Sequence, residues 1–209
     1  MATPAIRLIL FDLGGVLIEL GGMPPFLERG GGGRSADELW ELWLRSEAVR
    51  AFESGRIGAE AFAEAICAEL ALPAKPSEWL AAFARWPRGL FPGALELVRS
   101  IPRRYARATL SNTNAVHWPR FLAEPGFAQA FDAHFPSHLT GKLKPDAAAF
   151  QHVMDATGFA AEEILFLDDN ALNVDAALRL GLTAFRVRGV NQARERLQEL
   201  GVIPGAEQR

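Results

Sequence analysis

Ile6-Arg7-Leu8-Ile9-Leu10-Phe11 is apolar for most of its length and stops abruptly at Asp12-Leu13-Gly14-Gly15. A short apolar run bounded by a glycine turn reads as a buried strand followed by a tight loop. The pattern recurs downstream. Tyr105 to Leu110 predicts a strand ending at Ser111-Asn112-Thr113, and Ala133 to Phe135 a weaker one. Ile164-Leu165-Phe166-Leu167 terminates in Asp168-Asp169-Asn170, and Thr183 to Val187 predicts a last strand. Helical spacing separates them: Ala94 to Ser100, a helix opened by Pro145 and carrying Phe150, Val153 and Met154, and one with Val174, Ala177 and Leu178 on one side. Gly181 closes that helix, and Gln192 to Leu200 predicts a final one. Strand and helix in alternation specify an α/β fold with a parallel sheet covered on both faces.

Residues 20–88 have a different character. Gly30 to Gly33 cost too much backbone entropy for a helix or strand and predict a flexible loop, equally a movable lid or a tolerant surface turn. Ser35, with Glu38 three residues on, predicts a capping box for a helix bearing Leu39, Trp40, Trp43 and Leu44. A second helix runs from about Ala59 to Leu70 with Phe62, Ile66 and Leu70 on one face, and Ser77 is a candidate cap for a third through Leu80 and Phe83. No strand signal interrupts this stretch. The domain reading is therefore a core of residues 1–19 and 89–209 with an all-helical insert at 20–88.

Apolar residues make up 49% and charged residues 22% of the 209, enough to fill a real core. A net charge of -3 offers no electrostatic case for nucleic acid or an anionic membrane. No apolar run approaches the roughly 18 residues a membrane-spanning helix needs, and the first residues lack the basic and apolar segments of a signal peptide. The expected setting is cytoplasmic. The single cysteine, Cys67, shares helical spacing with Phe62, Ile66 and Leu70 and reads as a small buried hydrophobe. The four histidines, His117, His134, His138 and His152, show no metal-ligand spacing. His117 follows Asn114 closely enough to reach a site there, but reads as a loop or helix-surface residue. Trp40 and Trp43, three apart, read as packing residues.

In open parallel sheets, ligands bind beyond the carboxyl ends of the strands. Asp12, Ser111-Asn112 and Asp168-Asp169 stand at three such ends, and Lys144-Pro145 at a helix start would join them. Each alone has an ordinary explanation: a helix cap, a turn, a solvated loop, a surface lysine. Together, in this order, they predict one catalytic cluster.

Phe11-Asp12-Leu13-Gly14-Gly15-Val16-Leu17, Leu110-Ser111-Asn112-Thr113, Lys144-Pro145-Asp146 and Leu167-Asp168-Asp169-Asn170 resemble the four motifs of haloacid dehalogenase-like hydrolases. The resemblance spans the chain and implies a Rossmann-like core with an inserted helical C1 cap. Gly55-Arg56-Ile57, Ser111-Asn112-Thr113-Asn114 and Asp168-Asp169-Asn170 are most similar to bacterial phosphatases acting on alpha-glucose 1-phosphate. The roles implied are Asp12 as nucleophile, forming an aspartyl-phosphate, and Lys144 as neutraliser of developing charge. Ser111 would hold a phosphoryl oxygen, with backbone N–H groups near Gly14, Gly15 and Asn112 holding others. Magnesium would be bound by Asp12, Asp169 and the Gly14 carbonyl, with Asp168 beside them. Asn173 would supply an orienting hydrogen bond. The charges agree: three carboxylates and a phosphate dianion carry five negative charges, against one positive charge on Lys144, and a divalent cation restores balance. The implied partner is a small-molecule phosphate ester such as a sugar phosphate; the oligomeric state is left open.

One position departs from the family. Most of its phosphatases carry a second aspartate two residues after the nucleophile, as general acid and base, and here Gly14 stands there. Such assistance is worth about 100- to 10,000-fold in rate. The alternatives are an ester with a good leaving group, another group or a water in the acid's place, or a weakly catalytic protein that binds and senses a phosphometabolite. A metal-independent haloacid dehalogenase fits poorly with the Asp168-Asp169 pair. Phosphonate cleavage would need a lysine in the insert, where only Lys75 is found.

Overall fold

Strand β1 (Leu8–Phe11) is buried along its whole length because it lies at the centre of the sheet. The structure, a computed structural model, describes residues 6–21 and 35–205. Alternation along β1 sends Ile9 and Phe11 into one apolar layer and Leu8 and Leu10 into the other, which is why this strand reads as continuously apolar. β4 (Ala106–Ser111), β5 (Ala133–Pro136), β6 (Ile164–Asp168) and β7 (Thr183–Arg186) complete a parallel sheet in the order β5-β4-β1-β6-β7. The order steps outward from β1 first to one side and then to the other. That reversal opens a crevice at the carboxyl ends beside β1.

One layer packs Leu97 and Val98 of the helix Ala94–Ser100, Trp118 and Phe121 of Trp118–Ala123 and Leu197 of Gly189–Glu199 against the sheet. The other packs Phe150 and Val153 of the helix Ala147–Thr157 and Val174 and Ala177 of Ala171–Arg179. Pro145 does not open its helix as expected. Asp146 is the cap, and Pro145 precedes it through a cis bond from Lys144.

After β1 the chain forms a short strand, β2 (Ile18–Glu19), which pairs antiparallel with β3 (Gly89–Leu90). Among the described residues between them lie four helices, Ala36–Arg45, Glu47–Glu53, Ala59–Glu69 and Pro76–Phe83, with their own apolar cluster around Trp43, Phe52, Phe62, Trp79 and Phe83. Ser35 and Glu38 form the expected capping box. Ser77 is not a cap: Pro76 fills the first turn of its helix, where the missing N–H costs nothing, and Lys75 precedes it. Cys67 is buried in the insert's core as a free thiol. Trp43 packs there too, while the side chain of Trp40 and the glycine run at 30–33 lie outside the described residues. Among the described residues, no helix is long and apolar enough to cross a membrane.

Candidate active site

The parallel register brings the distant motifs together. Phe11 is level with Thr109 of β4 and with Leu167 of β6. One step further along each strand, Asp12 and Asp168 emerge side by side at the carboxyl edge. The Asp12 N–H still donates to Leu167 O at 2.8 Å. Ser111 ends β4 on the other side. A cavity of about 240 Å³ opens over this edge, lined by Asp12, Gly14, Ser111, Asn112, Lys144 and Asp169 among others.

Lys144 is the hinge of the cluster. Its ammonium donates to Asp12 Oδ1 at 2.8 Å and to Asp168 Oδ2 at 2.6 Å, and the residue is only 4% exposed. Burial alone would pull its pKa down; Asp12 and Asp168 outweigh burial and hold it above the ordinary lysine value. Its placement depends on Asn112. That side chain clasps the Lys144 backbone from both sides, donating to its carbonyl and accepting from its N–H, each at 2.9 Å. The spacing of the motifs could not reveal this bond across 32 residues.

Asp168 is fully buried and has both oxygens engaged, by Lys144, by the Asn170 N–H at 2.8 Å and by Asn173 Nδ2 at 3.1 and 3.0 Å. Asn173 thus makes the orienting bond expected of it. Asp169 stands closer to solvent, and burial with the Asp168 charge pushes its carboxyl up while Lys144 and Arg188 pull it down. Oxygens of Asp12, Asp168 and Asp169 lie within 4.8 Å of one another, close enough to share one cation. Burial also pushes the Asp12 carboxyl up to about 7 against the pull of Lys144, with Asp168 and Asp169 adding to the rise. Three carboxylates against one ammonium leave two negative charges, the deficit that a divalent ion with oxygen ligands would fill.

Gly15 plays a different part from the one expected. Its N–H donates to Ile18 O at 2.9 Å, so it is not available to a phosphate. It adopts a φ of +72°, and an added Cβ would collide with Asp169 Oδ2. Only glycine lets Asp169 approach the loop. Gly14 does border the cavity, with Leu20 occupying the direction of its missing side chain. The Ser111 hydroxyl makes no hydrogen bond to a described side chain and is free for a ligand.

His117 is no surface residue. It is 5% exposed, lines the cavity and donates through Nε2 to the carbonyl of Phe83 in the insert at 2.8 Å. Its Nδ1 faces Asn114 Nδ2 at 3.2 Å. Burial holds its pKa down at about 4. The neutral ring is a strut between core and insert, and its surface reading failed because the insert that covers it comes from 34 residues upstream. Lys75 is exposed and pairs loosely with Glu78 at 3.8 Å, away from the cavity lining.

Residues 6–181 match the model of the haloacid dehalogenase-like hydrolases. The chain belongs to this family. It is 28% identical over 189 residues to a sesquiterpene phosphatase of Aspergillus oryzae, covering 85% of this chain and 88% of that one. It is 25% identical over 198 residues to an (S)-2-haloacid dehalogenase of Xanthobacter autotrophicus, covering 90% and 77%. A shorter stretch, 73 residues at 34% identity, matches a drimenol cyclase of Aspergillus calidoustus, of whose length it spans 14%. In fold it is similar to a family enzyme of Bacteroides thetaiotaomicron, with a TM-score of 0.75 at 22% identity over 95% of this chain and 99% of that one. That enzyme has also been solved with magnesium and inorganic phosphate, giving a TM-score of 0.70 at 23% identity over 88% and 95%.

Proposed function

We propose that this hydrolase is a magnesium-dependent phosphatase that works through an aspartyl-phosphate. The observation that carries the reading is Lys144 bridging Asp12 and Asp168 at 2.8 and 2.6 Å, beside Asp169. A dehalogenase attacking an uncharged carbon has no need of a third carboxylate there, whereas a phosphate dianion requires the cation that three carboxylates attract. Asp12, Asp169 and the Gly14 carbonyl would hold magnesium, with Asp168 completing the set through its network. Bound there, the ion supplies positive charge to the phosphoryl oxygens. The magnesium and phosphate bound by the Bacteroides enzyme and the activity named for the Aspergillus oryzae relative support this reading.

Asp12 Oδ1 is held by Lys144, leaving Oδ2 without a hydrogen bond to the described residues and free to attack phosphorus. Lys144 stabilises charge on the phosphoryl oxygens as the bond to the leaving group breaks. Ser111 Oγ and the backbone N–H groups of Gly14 and Asn112 orient them. Water then opens the aspartyl-phosphate and restores Asp12. The insert, residues 20–88, acts as a cap on a core of residues 1–19 and 89–209, and the setting is cytoplasmic, where the unpaired Cys67 stays reduced.

For the substrate, the cavity wall favours an apolar organic group over the sugar that the motifs suggest. Trp43, Val49, Phe83, Trp86 and Phe121 form much of the wall. The Glu53 carboxyl and the Thr113 hydroxyl on this wall are left unengaged by the described residues. Several other polar groups there are already committed: Asn114 Oδ1 accepts from the N–H groups of Val116 and His117, and His117 serves Phe83. The terpenoid substrate named for the Aspergillus oryzae relative points the same way. Phosphate release from sugar, aryl and prenyl phosphates, with and without magnesium, tests both parts. Asp12→Asn is expected to abolish release in every case. Full activity in that variant, or chloride release from a 2-haloacid without metal, would remove the phosphatase reading.

A further inference from the structure

Gly14 leaves the leaving-group oxygen without an acid from the core, and Leu20 fills that side of the loop: a Cβ on Gly14 would meet Leu20 Cδ1 at 3.1 Å. The insert offers a carboxyl in its place. Glu53 ends the helix Glu47–Glu53 and lines the same cavity as Asp12, Gly14, Ser111 and Lys144. Its position is set from the core. The Ser137 hydroxyl donates to Glu53 O at 2.6 Å while accepting from the Thr113 N–H at 2.9 Å, which ties the end of this helix to the loop after β4. Thr113 follows directly on Ser111 and Asn112.

The Glu53 carboxyl is partly buried and has no hydrogen-bond or ion-pair partner among the described residues. The cations near it are engaged elsewhere. Arg50, one turn earlier, pairs with Asp146 at 3.0 Å, and Lys144 is held by Asp12 and Asp168. A carboxyl that shares the cavity of the nucleophile and has neither oxygen occupied is placed to exchange a proton with substrate.

We propose that Glu53 is the general acid and base of this enzyme, supplied by the insert in place of the side chain that Gly14 lacks. The proposal rests on the phosphatase reading. In the first step Asp12 bonds to phosphorus, the bond from phosphorus to the ester oxygen breaks, and the Glu53 proton passes to that oxygen to release an alcohol. In the second, Glu53 takes a proton from water as the water oxygen bonds to phosphorus. The phosphorus–Asp12 bond then breaks, releasing phosphate and restoring both carboxyls. Glu53 must therefore enter the cycle protonated. Burial pushes its carboxyl up to about 7, against Lys144 and Arg50, which favour the charged form. The other titratable groups on the cavity wall are Asp12, Asp169 and the neutral His117. A bound phosphate dianion adds negative charge and raises the protonated fraction further.

Glu53→Gln and Glu53→Asp test this by kcat/KM with magnesium on p-nitrophenyl phosphate, whose leaving group departs without a proton, and on an unactivated alkyl phosphate. Glu53→Gln is expected to lower the alkyl value about 100- to 10,000-fold and the nitrophenyl value far less. It should also accumulate covalent phosphate on Asp12, detected by mass spectrometry, because the attacking water has lost its base. Glu53→Asp should recover part of the alkyl activity. Equal losses on both esters, or none on the alkyl ester, would overturn the role. If Glu53→Gln fails to fold by thermal unfolding, the leaving-group dependence of Glu53→Asp decides instead: steeper than wild type supports the role, unchanged overturns it. Wild-type protein that releases no phosphate from either ester removes the phosphatase reading itself, and this role with it.

Discussion

In the helical insert, Phe62 is stacked on Phe52 at 4.3 Å between ring centroids and meets Trp79 and Phe83 edge-on at 5.3 and 5.4 Å. Its interior is rings and aliphatic chains. Across the cavity, at the strand ends, three carboxylates crowd one buried ammonium and two negative charges go unmatched. The insert is packed for stability, whereas the sheet edge keeps a crowding of negative charge that adds to burial in raising the Asp12 carboxyl and that a bound cation would relieve. Substitutions in the two regions should therefore separate into effects on folding and effects on ligand binding or turnover.

The largest effect on folding is expected from Phe62→Ala, which empties a fully buried site among four aromatic rings. A loss of about 3–5 kcal/mol in denaturant unfolding is expected. A loss below about 1 kcal/mol would mean that the insert contributes little to global stability and would break the contrast.

His117 stands on the seam and makes stability depend on pH. Its folded pKa is about 4, below the ordinary 6.5, because burial disfavours the charged ring. The folded state therefore binds fewer protons than the unfolded state in that window. The contribution is complete above pH 6.5 and is lost as pH falls towards 4, by about 3 kcal/mol. His117→Gln keeps a donor and an acceptor but cannot titrate. Urea unfolding between pH 4 and 7 should show a flatter slope for this variant than for wild type, and an unchanged slope would assign the pH dependence elsewhere.

At the sheet edge, Asn173→Ala removes the bonds at 3.1 and 3.0 Å that orient Asp168. Magnesium affinity, measured from the metal dependence of turnover or by calorimetry, should fall about 10- to 100-fold. Unfolding of the metal-free protein should change much less. The smallest effect belongs to Arg50→Ala. The pair with Asp146 joins insert to core at 3.0 Å, but both side chains are exposed by 41% and 52%. A cost of about 0.2–1 kcal/mol is expected, and a larger one would show that this seam behaves as a single cooperative unit.

The strands that carry the site are legible in the sequence because each is a short apolar run ending in a polar group, a pattern set by burial on two faces. Asp12, Ser111 and Asp168-Asp169 are recognisable for the same reason, and Lys144 by its place before Pro145 ahead of a helix. The seam is harder to read. His117 has the look of a surface residue because nothing near it in the chain covers it; Phe83, 34 residues away, does. Gly15 has the look of a phosphate donor, yet its N–H turns inward to Ile18. At Pro145 and Ser77 the helix starts differ from the expected ones by two positions, since the residue that caps a helix depends on where its first turn can be packed.

The amino-acid sequence alone determined the alternation of strands and helices, the order of the four motifs and the need for a cation, because hydrophobic period and formal charge are properties of the chain. Tertiary structure alone decided that Lys144 bridges Asp12 and Asp168, that Asn112 clasps Lys144, and that Glu53 reaches the cavity. Glu53 shows why. A helix carries no record of which neighbour its last turn will meet. That was set by Ser137, 84 residues downstream, and by Gly55, where a Cβ would collide with His138 O and where the insert can therefore lie directly against the core.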